Sequence, residues 1–243
     1  MVRKARRCMR RAWPVLCAGL MVAGAPATAE ITAARYQQET TRYAHGVLGD
    51  AIEYGALELT LQNGQRLLIT LPQDRVFEDI APRLFDMDGD GAPEVIVVES
   101  SQSAGARLAI YDAKGLRAAT PYIGQRNRWL APIGAADLDG DGAVEIAYID
   151  RPHLAKTLRV WRFQDDQLTE VASLTGLTNH RIGEDFISGG IRDCGQGPEM
   201  ITADGAWRSV VATGFDGTGL SGETLGPFTG QAAFEAALTC ASR

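Results

Sequence analysis

The sequence predicts an all-β fold built from a repeated unit of about fifty residues, and three observations carry that prediction. An acidic loop occurs twice, as Asp86-Met87-Asp88-Gly89-Asp90-Gly91-Ala92-Pro93-Glu94 and as Asp137-Leu138-Asp139-Gly140-Asp141-Gly142-Ala143-Val144-Glu145. Each copy leads into a β-branched or aromatic run, Val95-Ile96-Val97-Val98 and Ile146-Ala147-Tyr148-Ile149, of the kind that fills a buried strand. The spacing then holds downstream: Glu94 and Glu145 stand 51 residues apart, and Leu108 and Leu158, which open a further strand in each copy, stand 50 apart. Several short strands per unit, without a convincing helix, predict blades. The chain has room for about four, giving a small β-propeller-like repeat fold; an open stack or an oligomeric assembly is the alternative.

Taken in order, the chain opens with Arg3, Lys4, Arg6, Arg7, Arg10 and Arg11, an apolar run from Ala12 to Ala25, and Ala27-Thr28-Ala29. A basic region, a short apolar core and an A-x-A site predict a secretory signal over residues 1–29; the apolar run is shorter than the roughly 18–20 residues that span a bilayer. Residues 30–243 are then a single domain of 214 residues. Leu57-Glu58-Leu59-Thr60-Leu61 alternates apolar and polar before Asn63-Gly64 and a second run from Arg66 to Leu71, which predicts a hairpin. This hairpin, 57–71, is expected to close the ring beside the last repeat. The repeats themselves are expected at about 80–124, 130–176 and 183–213. The third keeps a decayed loop, Ile191-Arg192-Asp193-Cys194-Gly195-Gln196-Gly197-Pro198-Glu199, with two carboxylates in place of four. Beyond it, 214–243 is a tail. Its Gly/Thr/Ser-rich part to Gly230 reads as irregular loop, and its alanine-rich Ala232–Leu238 reads as a terminal helical turn.

Both complete loops place carboxylates at positions 1, 3, 5 and 9 and glycine at 6. Hard oxygen ligands at that density call for a cation, and Ca²⁺ takes six to eight of them. An EF-hand is excluded, because its bidentate acid belongs at position 12, where this chain has Val97 and Tyr148. An Asp-x-Asp-x-Asp-Gly-x-x-Glu loop feeding a strand closely resembles the FG-GAP/VCBS repeat, the calcium-loop blade of integrin-type β-propellers. The resemblance runs from about Ile80 to Thr213. It implies two Ca²⁺ sites, one from Asp86, Asp88, Asp90 and Glu94 with the Ala92 carbonyl, the other from Asp137, Asp139, Asp141 and Glu145 with the Ala143 carbonyl. It also implies a non-catalytic binding or adhesion module with structurally bound Ca²⁺.

Composition narrows the partners. Removing residues 1–29 takes away six basic and no acidic residues, leaving 18 Lys+Arg against 30 Asp+Glu, a formal charge of −12. That argues against nucleic acid and anionic membrane surfaces. The expected setting is periplasmic or secreted, without a membrane anchor after cleavage, and the expected partner is a protein or glycan there. Cys194 and Cys240 remain as an even pair in an exported protein, which predicts a disulfide; the alternative is two unpaired small core residues. A secreted hydrolase, glycan- or ester-directed, is the competing class. His45 with Asp50 and Glu53, or His180 with Glu184 and Asp185, would supply its acids and bases, but no nucleophile motif, H-E-x-x-H or phosphate loop is present. No catalytic residue is assigned. Arg126, Arg128 and Trp129 form the one basic-aromatic cluster and are the candidate recognition surface, although the tryptophans, Trp129, Trp161 and Trp207, read first as core.

Overall fold

The structure, a computed structural model, describes Met1 and residues 30–241; the expected signal segment, apart from Met1, lies outside the described residues. Strands β1 (Ile31–Thr40), β2 (Glu53–Leu61) and β3 (Arg66–Thr70) form an N-terminal antiparallel unit. Three four-position units follow. In the first, the opening strand is split into β4 (Arg75–Phe77) and β5 (Arg83–Phe85). Both pair with β6 (Glu94–Ser101), which pairs in turn with β7 (Gly105–Asp112), and β7 with β8 (Gly115–Ala119). The second unit is unbroken: β9 (Leu130–Ala136), β10 (Val144–Asp150), β11 (Thr157–Gln164) and β12 (Gln167–Thr175). The third repeats the split, with β13 (Leu177–Thr178) and β14 (Gly190–Asp193) both on β15 (Pro198–Asp204), then β16 (Ser209–Phe215) and β17 (Leu220–Pro227). Helix α1 (Gln231–Leu238) closes the chain.

Successive side chains of a strand point to opposite faces, and the second strand of each unit uses both. On β6, Ile96 and Val98 face a core shared with Ile146 and Tyr148 of β10. Val95 and Val97 face the other way, into a core with Leu57, Leu59 and Phe77. On β10, Ala147 and Ile149 turn to Met200 of β15 and Val211 and Phe215 of β16. On β15, Ile201 and Ala203 turn outward to Phe234 and Ala237 of α1. The units are therefore stacked layers, with the N-terminal unit over one end face and α1 over the other.

This arrangement corrects the expected ring of about four blades. Among the described residues there are three four-position units in three separate sheets. The hairpin predicted at 57–71 forms around Asn63-Gly64, where the Gly64 φ is +80°. It joins the sheet of the first unit, at the Tyr54–Phe77 pair, in place of standing beside the third. Its apolar side is consumed in covering Val95 and Val97, so none remains to build a fourth blade. The link between first and third units is made instead by the β1–β2 connection, where the Gly183 N–H donates to the Val47 carbonyl at 3.2 Å. The tail is also more ordered than its composition predicts. Residues 220–227 are β17, because the edge of β16 offers them backbone partners from Ser209 to Phe215. The alanine-rich segment is helical as predicted, and Cys240 is disulfide-bonded to Cys194, 46 residues away.

Removal of the C-terminal cover is expected to be costly. Phe234 is fully buried, so Phe234→Ala should lower unfolding free energy by about 3–5 kcal/mol. Cys240→Ser should cost about 4 kcal/mol by loop entropy. Urea unfolding of each variant checks both values; a midpoint unchanged in Phe234→Ala would mean that α1 does not cover the third unit in solution.

Candidate metal centres

Both acidic loops join the first strand of a unit to the second, β5 to β6 and β9 to β10. Their internal bonding is the same. The Asp86 carboxylate accepts the Gly89 N–H at 2.8 Å and the Gly91 N–H at 2.9 Å; Asp137 accepts those of Gly140 at 2.8 Å and Gly142 at 3.0 Å. Gly91 and Gly142 have φ of +88° and +91°, a conformation side chains resist. Asp90 and Asp141 accept the N–H groups of Ala92 and Ala143, each at 2.8 Å. Glu94 and Glu145 reach back to accept the N–H of Met87 and Leu138, both at 2.9 Å. Met87 and Leu138 are buried, so each loop is pinned to the core at its second residue and clamped by its ninth.

The donor sets fit a hard divalent ion. Carboxylate oxygens of Asp86, Asp88 and Asp90 lie within 4.8 Å of one another, as do those of Asp137, Asp139 and Glu145. Ligands at 2.3–2.6 Å from Ca²⁺ stand at most about 5 Å apart across the ion. Glu94 and Asp141 lie outside these closest groups.

A guanidinium attends each set, which motif reading missed. Arg117 on β8 donates to Asp88 at 2.5 Å and Glu94 at 2.6 Å. Arg162 on β11 contacts Asp139 at 2.5 Å, Asp141 at 3.0 Å and Glu145 at 2.6 Å. Burial raises the carboxyls of Glu94 and Glu145. Burial also works against the Asp88 carboxylate, but hydrogen bonds from Arg117 and the Asp90 N–H outweigh it and hold Asp88 low. The bond to Glu145 heads the causes that hold Arg162 firmly charged.

Each centre also touches the next unit. Arg117 reaches Asp166, in the β11–β12 turn, at 2.5 Å. A Cβ added to Gly217, in the β16–β17 turn, would stand 3.0 Å from an Asp139 oxygen. Loops and turns thus meet along one end of the stack. The third loop has a different staple. Asp193 accepts the Gly195 and Gly197 N–H groups at 2.7 and 3.2 Å, Glu199 pairs with Arg192 at 2.9 Å, and Cys194 carries the disulfide.

The other predicted residues fall elsewhere. Trp129 is 2% exposed and donates its indole N–H to the Glu78 carbonyl at 2.9 Å, so it is core and not recognition surface. Arg126 is exposed over the Tyr43 ring, and Arg128 is half-buried. His45 bonds neither Asp50 nor Glu53; its Nδ1 meets the fully buried Glu78 at 2.6 Å. Asp50 accepts the Ile52 N–H. Glu53 is pushed up to about 9 by burial, with Glu78, Asp50 and Asp79 adding to the effect. His180 bonds the Glu184 carbonyl at 3.0 Å and His153 at 3.0 Å. A further recurrence went unnoticed in the sequence: Glu99 at the end of β6 takes Arg107 of β7, and Asp150 at the end of β10 takes Arg159 of β11.

Stacked four-stranded units, two of them with an acidic loop between first and second strands whose carboxylates could hold a metal ion, define a class: a blade-repeat protein. Within that class, residues 86–148, which hold both complete loops, match the family described as FG-GAP-like repeat. No curated protein matches the chain.

Two outcomes follow from these charges. Arg162→Gln leaves Asp139, Asp141 and Glu145 uncompensated; it should melt below the parent in EGTA, and millimolar CaCl₂ should restore more of its stability than it adds to the parent. Equal calcium increments would remove Arg162 from the second centre. The second concerns pH. Burial, then His180, lowers His153 to about 4, and burial lowers His180 as well. Folded values below the unfolded value of about 6.5 mean that this pair stabilises the fold above pH ~6.5, and the contribution is lost as pH falls towards ~4. Between those limits His153→Gln should lose less stability than the parent, measured by urea unfolding at stepped pH.

Proposed function

We propose that this protein is an exported, calcium-binding FG-GAP-like module that binds a protein or glycan partner in the periplasm or outside the cell, and that it carries out no catalysis itself. The observation that carries the reading is the pair of loops whose oxygens converge to ion-binding separations. The side-chain ligands would be Asp86, Asp88, Asp90 and Glu94 at one centre and Asp137, Asp139, Asp141 and Glu145 at the other, with the Ala92 and Ala143 carbonyls at loop position 7. Bound Ca²⁺ supplies charge compensation and a rigid joint where each loop meets the following unit. Its effect is mass action on the folded state, about 2.7 kcal/mol at a hundredfold excess over Kd. The Cys194–Cys240 disulfide supports an oxidising compartment. Among the described residues no helix is long and apolar enough to cross a membrane.

The test is a thermal melt of residues 30–243 in millimolar CaCl₂ and in EGTA. A rise of several degrees with calcium is expected, diminished in Asp88→Ala and in Asp139→Ala and abolished in the double variant. A melt indifferent to calcium would leave the loops as empty turns and the proposal without its basis.

A further inference from the structure

The end of the stack opposite the acidic loops carries a different chemistry. In antiparallel units the second-to-third turns and the unit-to-unit links must lie at the end away from the first-to-second loops. Three such segments meet there with the β1–β2 connection: the β8–β9 link with Arg128, the β10–β11 turn with Arg151 to Leu154, and the β13–β14 excursion with His180 and Ile182. Between them lies a half-open cavity of about 230 Å³.

Its walls are built, not incidental. His45 lines it with Nδ1 fixed on buried Glu78, which also takes the Ser100 hydroxyl, so Nε2 is the ring nitrogen left to a ligand. His153 lines it and is held by His180, whose ring lies edge-on to Trp129, with centroids 4.9 Å apart. Arg151 is braced on Asp150 at 2.8 and 2.9 Å. Arg128 differs. Its guanidinium donates to the Asn127 carbonyl at 3.0 Å, and among the described residues no ion pair forms on it. The link that presents it is positioned by Gly105, where a Cβ would stand 2.2 Å from the Gln125 carbonyl and 2.8 Å from that of Arg128. The rim is aliphatic: Leu154 is 64% and Ile182 72% exposed.

We infer that this cavity captures the free C-terminal carboxylate of a polypeptide whose last residue is aliphatic, with Arg128 binding the carboxylate and Leu154 and Ile182 covering the side chain. An unpaired guanidinium binds a carboxylate through two parallel N–H bonds. A cavity below the roughly 300–1,000 Å³ of sites for drug-sized ligands takes one terminal group, not a chain. An acidic sugar would ask for an open aromatic face and several planar polar side chains. Trp129 is closed off at 2% exposure, and Asn127 is the one amide on the wall. The inference names the partner class of the module proposed above and rests on that reading.

The experiment is fluorescence anisotropy with an N-terminally labelled Gly-Gly-Gly-Gly-Leu peptide as free acid, as C-terminal amide, and with aspartate in place of leucine, titrated with the parent protein. Arg128→Gln, at a half-buried side chain, and Leu154→Asp, at an exposed one, are titrated alongside, with melts confirming that they fold. Saturable binding of the free acid, weakened at least tenfold by amidation, by the aspartate ending and by either variant, is the expected result. Binding indifferent to amidation or to Arg128→Gln, no saturation up to about 1 mM, or displacement of the peptide by galacturonate at lower concentration than by unlabelled free-acid peptide would overturn it. The calcium melt separates the two failures. Absent peptide binding with a calcium-dependent melt defeats this inference alone, whereas a calcium-independent melt defeats the module reading.

Discussion

No sheet in this protein can bury both its faces by itself, and the rest of the structure follows from that constraint. A four-stranded unit with Ile96 and Val98 on one side and Val95 and Val97 on the other is apolar twice over. Each fully buried Val or Ile contributes about 1.5–3 kcal/mol, so an uncovered face would forfeit several such terms at once. Each inner face is answered by the next unit. The two outer faces are answered by elements of another kind, a β-meander at the N-terminus and a disulfide-tied helix at the C-terminus. In stacked-repeat proteins the terminal members carry the burden of solubility, and here both ends of the chain are given over to it.

Antiparallel layering also sorts charge. First-to-second loops fall at one end, and there the aspartates collect, restrained by Arg117 and Arg162. The opposite end gathers the three histidines and two arginines, Arg128 and Arg151. Between the ends, Glu99 and Asp150 sit buried against arginines of the neighbouring strand. Removing one partner of such a pair is far more damaging than the pair is stabilising, since a buried charge is left alone. The net acidity of the chain is therefore no uniform field; it is concentrated at one pole.

What was legible in the sequence was what is written locally. The glycine turn at loop position 6, the β-branched runs after the loops and the Asn63-Gly64 hairpin each depend on a few adjacent residues, and each folds as its pattern predicts. The disulfide followed from counting cysteines. Ring closure was not legible, because alternation in Leu57–Leu61 says that one face is covered without saying by what. Residues 220–227 lacked a strand composition, and became a strand because β16 had an open edge. Trp129 looked available beside two arginines, but its indole is drawn inward by a carbonyl 51 residues earlier. Arg117 and Arg162 were invisible as counter-ions, since they come from strands well downstream of the loops they neutralise.

The split opening strands of the first and third units have a further consequence. Each opens the sheet edge for a short excursion, 78–82 and 179–189, before pairing resumes on the same partner. Residues of such an excursion are released from the pleat, yet both of their ends stay anchored to a core strand. Glu78 and His180 are presented in this way, at positions no hairpin tip would reach. The middle unit, with β9 unbroken, offers none. Only the outward residues of these insertions, such as Ile80, Ile182 and Phe186, can change without disturbing the stack, whereas Glu78 and His180 are buried, so one strand holds both an adjustable rim and the anchored groups beneath it.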